Sequence, residues 1–179
     1  MSDPSNPEYL SSYPILGACN QLHVVDELAY VVDHRSENTG VKVLNISNPE
    51  NPVLVGSYMP DDDLWNPFVS GDYMYVGNHG EGGGELQILD VTDPLNISQI
   101  AIYNPSGNVF AAHVVNSTAY LADYTLGLVI VDVSDPENPL RIGGFFDGGG
   151  AVNLDVVGDL VYVADRSGGL EIIQVSITN

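Results

Sequence analysis

The stretch Gly127-Leu128-Val129-Ile130-Val131-Asp132-Val133-Ser134-Asp135-Pro136 is a continuous apolar run that stops at a turn. An apolar run this short, rich in β-branched residues and lacking alternation, is a strand covered on both faces. It has three counterparts, so the runs fall at 40–46, 85–91, 127–133 and 169–175. Upstream of each lies a second element: Ala29-Tyr30-Val31-Val32-Asp33, Met74-Tyr75-Val76-Gly77-Asn78, Ala119-Tyr120-Leu121-Ala122-Asp123 and Val161-Tyr162-Val163-Ala164-Asp165. Their tyrosines are spaced 45, 45 and 42 residues apart. A third element is the turn Ser47-Asn48-Pro49-Glu50-Asn51-Pro52, echoed at Thr92-Asp93-Pro94 and at Ser134-Asp135-Pro136-Glu137-Asn138-Pro139.

Each unit reads as four short strands. Strand A is the His23-Val24-Val25 type and strand B the tyrosine motif. Strand C is the apolar run and strand D the Leu54-Val55-Gly56-Ser57-Tyr58 type. The A–B links (Asp26-Glu27, Gly71-Asp72, Asn116-Ser117, Gly158-Asp159) carry hairpin-turn chemistry. Sheets stacked between similar sheets cover both faces of strand C, and four-stranded units of this period stacked radially make an all-β propeller. The units lie at about 14–58, 59–103, 104–146 and 147–179 of one propeller domain.

The phrase at 127–136 resembles the signature of the LVIVD repeat family, as do the preceding Ala-Tyr-Leu-Ala-Asp and the following Pro-Glu-Asn-Pro-Leu. The resemblance covers essentially the whole chain and is loosest in the second unit. It implies a propeller fold and an extracellular or cell-surface setting in bacteria or archaea. It implies no shared chemistry, so architecture and address follow from it but a catalytic site does not.

Residues 2–13 align without gaps on 47–58, which makes them a C–D turn and strand D with no unit before them. The last unit stops where its own C–D turn is due. Pairing the two ends completes the fourth blade and removes an exposed edge. Two closures satisfy this equally: a four-bladed ring closed in cis, or two chains exchanging their first strands in an eight-bladed dimer. Head-to-tail exchange without closure makes a fibre.

The chain has 179 residues and a net charge of −20, with 4 Lys+Arg against 24 Asp+Glu. Nucleic acid is excluded as a partner, because four cations build no basic patch. No stretch approaches the roughly 18 apolar residues of a membrane-spanning helix, and no basic, apolar leader opens the sequence. One cysteine, Cys19, gives no internal disulfide. High acidic charge keeps a surface-exposed protein soluble and makes it depend on salt or divalent cations.

Candidate sites follow from the repeat. Asp33, Asn78, Asp123 and Asp165 end strand B and ring one mouth of the propeller. Dense carboxylates there suit Ca²⁺, a hard cation taking roughly 6–8 oxygen ligands. The competing role is structural, with each Asp accepting backbone N–H groups as an Asx turn does. His23, Phe68, His113 and Asp155 share the strand-A position facing the axis. His23, His113 and Asp155 are therefore a candidate His₂-carboxylate site for iron or zinc, and the basis of an alternative reading as a small metalloenzyme. The competing reading is two packed, hydrogen-bonded histidines. On the loop face, His34, His79, Trp65, Tyr124 and Arg166 are candidate ligand contacts, and Trp65 suits a sugar ring of a glycan or surface-protein partner. The sequence contains no nucleophile motif, and Gly80-Glu81-Gly82-Gly83-Gly84 joins two strands rather than opening a phosphate-binding helix. Asn45, Asn96 and Asn116 begin Asn-x-Ser/Thr sequons at turns. The function expected is a non-catalytic binding or structural module, with a self-assembling subunit as a further alternative.

Overall fold

The computed structural model describes residues 5–34, 39–60, 63–80 and 83–176, apart from the side chains at 20, 34, 79, 80 and 83. Four antiparallel sheets follow one another along the chain. The first contains β1 (Ala18–Val25), β2 (Leu28–His34), β3 (Gly40–Asn45) and β4 (Val53–Tyr58). The second contains β5 (Leu64–Ser70), β6 (Tyr73–Gly80), β7 (Gly83–Asp90) and β8 (Ser98–Gly107). The third contains β9 (Val109–Val115), β10 (Thr118–Asp123), β11 (Gly127–Asp132) and β12 (Leu140–Phe145). The fourth has three strands: β13 (Ala151–Val157), β14 (Leu160–Asp165) and β15 (Gly169–Gln174). Strand order within every sheet is the order of the chain, so each sheet is a meander, the form of a propeller blade.

Local chemistry fixes each blade. The A–B hairpins close through two-residue turns whose first residue, Asp26, Gly71, Asn116 or Gly158, has φ between 52° and 64°. Asn, Asp and Gly are the residues that tolerate this region. The N–H just beyond strand C bonds back to the second residue of that turn in every blade: Ile46 to Glu27, Val91 to Asp72, Val133 to Ser117 and Val175 to Asp159. The C–D turns repeat an Asx bond two residues long, Asn45 to Ser47, Asp90 to Thr92 and Asp132 to Ser134. Thr92 hydroxyl and amide donation holds the Asp90 carboxyl below its ordinary pKa. Ser134 does the same for Asp132, mainly through its amide.

The core consists of the layers between blades. Tyr30, Val32, Val41 and Val43 of the first blade meet Met74, Val76 and Leu89 of the second. Tyr75, Leu86 and Ile88 then meet Ala119, Leu121 and Val131 of the third, and Tyr120, Ala122 and Leu128 meet Val161 and Val163 of the fourth. Strand C is therefore covered on both faces in the first three blades, as its unbroken apolar sequence requires. The blades also approach backbone to backbone. A Cβ on Gly56 would lie 1.7 Å from the Pro94 carbonyl oxygen, so that seat in β4 accepts only glycine.

The inner strands β1, β5, β9 and β13 pack neighbour on neighbour, but among the described residues no comparable packing joins β13 back to β1. Among the described residues, the expected pairing of the N-terminal segment with the last blade is not formed within the chain. Tyr13 and Ile15 instead pack on Ala29, Val31 and Leu44 of the first blade. Ser11 Oγ donates to the Pro49 carbonyl oxygen at 2.6 Å. Apolar burial on the first blade holds the segment away from β15, and the propeller stays open at one seam.

Candidate functional site

At the axis, the four strand-A side chains form a stack rather than a chelating ring. Phe68 sits between the two histidines, its ring centroid 4.7 Å from that of His23 and 4.5 Å from that of His113. His23 Nδ1 accepts the Val69 N–H at 2.7 Å, which fixes that nitrogen as unprotonated. His113 Nδ1 lies 3.0 Å from Asp155 Oδ1. Burial, and then the neighbouring His113, lowers the His23 pKa. Burial lowers that of His113 too, against the opposing pull of Asp155. The structure thus joins His113 with Asp155 but does not bring His23 to them as a third metal ligand, because Phe68 fills the space between. Asn66 Nδ2 donates to Asn153 Oδ1 at 3.2 Å nearby, linking the second and fourth blades.

The acidic residues ending strand B differ by blade, although their backbone setting repeats. Asp123, fully buried, accepts at Oδ1 from the N–H groups of Asn108, Thr125 and Leu126 at 3.0, 2.8 and 2.9 Å. One carboxylate thereby ties the B–C loop to the start of the inner strand, as an Asx cap does. Asp33 is buried and paired with Lys42 Nζ at 2.5 Å. Asp165 accepts from Ser167 and Gly168 at 2.9 and 2.7 Å, and from Gly150. These bonds, that from Gly168 foremost, hold its carboxyl below the ordinary range. The cap leaves no room beside it: a Cβ on Gly149 would lie 2.1 Å from an Asp165 carboxylate oxygen.

The three blades treat one position of strand C differently. Lys42 occupies it in the first blade, Val129 in the third and Glu171 in the fourth. Where Lys42 neutralises Asp33, Glu171 adds a second carboxylate beside Asp165, and Asp147 on the preceding loop supplies a third. Among the described residues this is the group whose carboxylate oxygens converge, all within 4.8 Å of one another. Glu171 Oε1 is shut off from solvent with no hydrogen-bond donor against it in the ionised form. A hydrogen bond shared with Asp147, then burial, then the charges of Asp147 and Asp165 push the Glu171 pKa up to about 7.

Beside this cluster lies a cavity of about 320 Å³ lined by Tyr124, Arg166, Ser167 and the Gly148–Gly150 loop. The Arg166 guanidinium carbon is 5.4 Å from the centre of the Tyr124 ring. Phe110 stands 5.7 Å from both Tyr124 and Trp65. The loop face therefore carries a row, Trp65–Phe110–Tyr124–Arg166, running across three blades. Trp65 lies within β5 and is half buried, not out on a loop. The side chains of His34 and His79 lie outside the described residues.

Sequence reasoning placed Asp165, Trp65, Tyr124 and Arg166 on this face and missed Glu171 and Phe110. The missed signal was a charge at an inward register of an otherwise apolar strand, at the position where Lys42 also stands.

A family model described as the LVIVD repeat matches residues 17–60, 63–105, 113–145 and 148–177. Among solved structures, the chain is similar to the computationally designed Ika4 protein, seen in a crystal structure. The TM-score is 0.70 at 10% identity, covering 96% of this chain and 100% of that one, so the likeness concerns the fold alone. Among curated proteins none matches this chain.

Proposed function

The chain belongs to the LVIVD repeat family, and from that premise we propose that it is a non-catalytic binding and structural module of the cell surface or exterior, with a divalent cation seated between Asp147, Asp165 and Glu171. The observation that carries this reading is the charge reversal at one repeat position. In the first blade the strand-end carboxylate is met by Lys42; in the fourth, the equivalent seat holds Glu171 among two other carboxylates. A cation of charge two supplies what the lysine supplies elsewhere. Three converging carboxylates suit Ca²⁺, whose affinity for extracellular modules is roughly 10⁻⁴–10⁻³ M. The cation would brace the loop beside the cavity, and the row Trp65–Phe110–Tyr124 would offer flat apolar contact to a glycan or a surface partner.

The test is calcium titration by calorimetry at pH 7.5, with Glu171→Lys as the comparison. The wild type is expected to bind one Ca²⁺ per chain and to melt at a higher temperature with it. Glu171→Lys, which installs the first blade's arrangement, is expected to lose the binding and to be at least as stable without calcium. No binding at 10 mM (about ten times the weakest affinity expected), or equal binding by both proteins, would sink the proposal.

A further inference from the structure

We infer that the fourth blade docks the N-terminal end of a second copy of this chain, so that two chains close into one pair. This contact is specified by the repeat and is independent of the cation. In the first three blades, one face of strands B and C is sealed by the next blade. Val41, Val43, Leu86 and Ile88 have no exposed surface there, and Leu128 has 1%. The same face of the fourth blade has no following blade. Leu170 is 67% exposed and Ile172 59%, while Tyr162, Ala164 and Leu170 line an open groove. An uncovered apolar face of this kind marks an interaction surface, and here its partner is specified by equivalence.

The complementary half is present at the other end of the chain. Tyr58 of β4 packs into the layer between the first and second blades, and Tyr103 of β8 into the next. Tyr13 is their counterpart in the alignment of 2–13 on 47–58, and it packs on the first blade's Ala29, Val31 and Leu44 in the same manner. Residues 5–15 form no strand here, but Tyr13 and Ile15 occupy on the first blade the place that the last strand of a preceding blade would take. The fourth blade has its first three strands and lacks the last. Among the described residues β13 has no packing on β1 comparable to that between neighbouring blades, which leaves the two halves to a second chain. The contact is heterologous, and using it twice closes the pair.

Native mass spectrometry in reductant and chelator tests this without involving Cys19 or the cation. The wild type at tens of micromolar is expected at twice 19.1 kDa. Ile172→Glu is expected at the single-chain mass with an unchanged circular dichroism spectrum, because Ile172 is exposed in the single chain and its loss costs the fold little. A wild type found at the single-chain mass overturns the inference. So does a pair that survives Ile172→Glu, which would place the contact elsewhere, and so does a ladder of larger species, which would mean no closure.

Discussion

Individual side chains in this molecule are constrained by what the repeat has already placed around them. Gly149 is an example: its missing side chain is the space in which the Asp165 carboxylate sits. That carboxylate is held by several backbone N–H groups and yields little, so Gly149→Ala is expected to destabilise the protein by about 1–3 kcal/mol, the usual cost of overpacking. Thermal melting measures it, and an unchanged melting temperature would mean the cap moves freely. His23 behaves differently. Its pKa is lowered in the folded state, so its stabilising contribution is present above the ordinary value of 6.5 and is lost as pH falls through the depressed value. The imidazole resonances of His23 should titrate with a midpoint below 6.5, and a midpoint at or above it would contradict the Val69 hydrogen bond. Glu171 runs the other way. Its raised pKa favours the protonated folded state, so this contribution is complete below about 4.5 and lost as pH rises through about 7. Calcium-free protein should therefore become less stable across that interval, and Glu171→Gln should abolish this dependence.

At the scale of strands and turns, the sequence was legible wherever a pattern had to satisfy a neighbour in the same blade. Strand C could be read as doubly covered because Leu128-Val129-Ile130-Val131 does not alternate. The A–B turns were legible from Asp26, Gly71, Asn116 and Gly158, since only a few residue types accept their φ. What could not be read was where residues 5–15 lie, because their apolar side chains fit both the first blade and the fourth. Glu171 was obscured for a related reason: strand C is recognised by its apolar residues, and a charge within it carries meaning only once its neighbours are known. The strand-end carboxylate gives a test at this scale. Asp123→Ala leaves three N–H groups without their acceptor, and one buried unmet group alone costs about 1–3 kcal/mol. The expected loss, read from urea unfolding, is at least that large, and Asp123→Asn, which keeps an acceptor oxygen, should lose less.

For the whole molecule, charge and shape combine. A net charge of −20 on 179 residues repels itself, and the screening length falls from about 8 Å at physiological salt to about 3 Å at 1 M. The melting temperature should climb by several degrees over that range, and a flat profile would mean the acidic groups are already compensated locally. The open seam also has a mechanical meaning. Among the described residues the last sheet is one strand short, and the outer edge of β15 pairs with no further strand. A pull applied between the termini would load β15 at one end and β1, likewise paired on one side only, at the other. β15 would peel away from β14 one hydrogen bond at a time, while the third blade behind it, sandwiched on both sides, resisted. A single copy tethered under tension would thus fail from its ends inward, as a zip does, and a pair joined across the seam would bear the same load by shear.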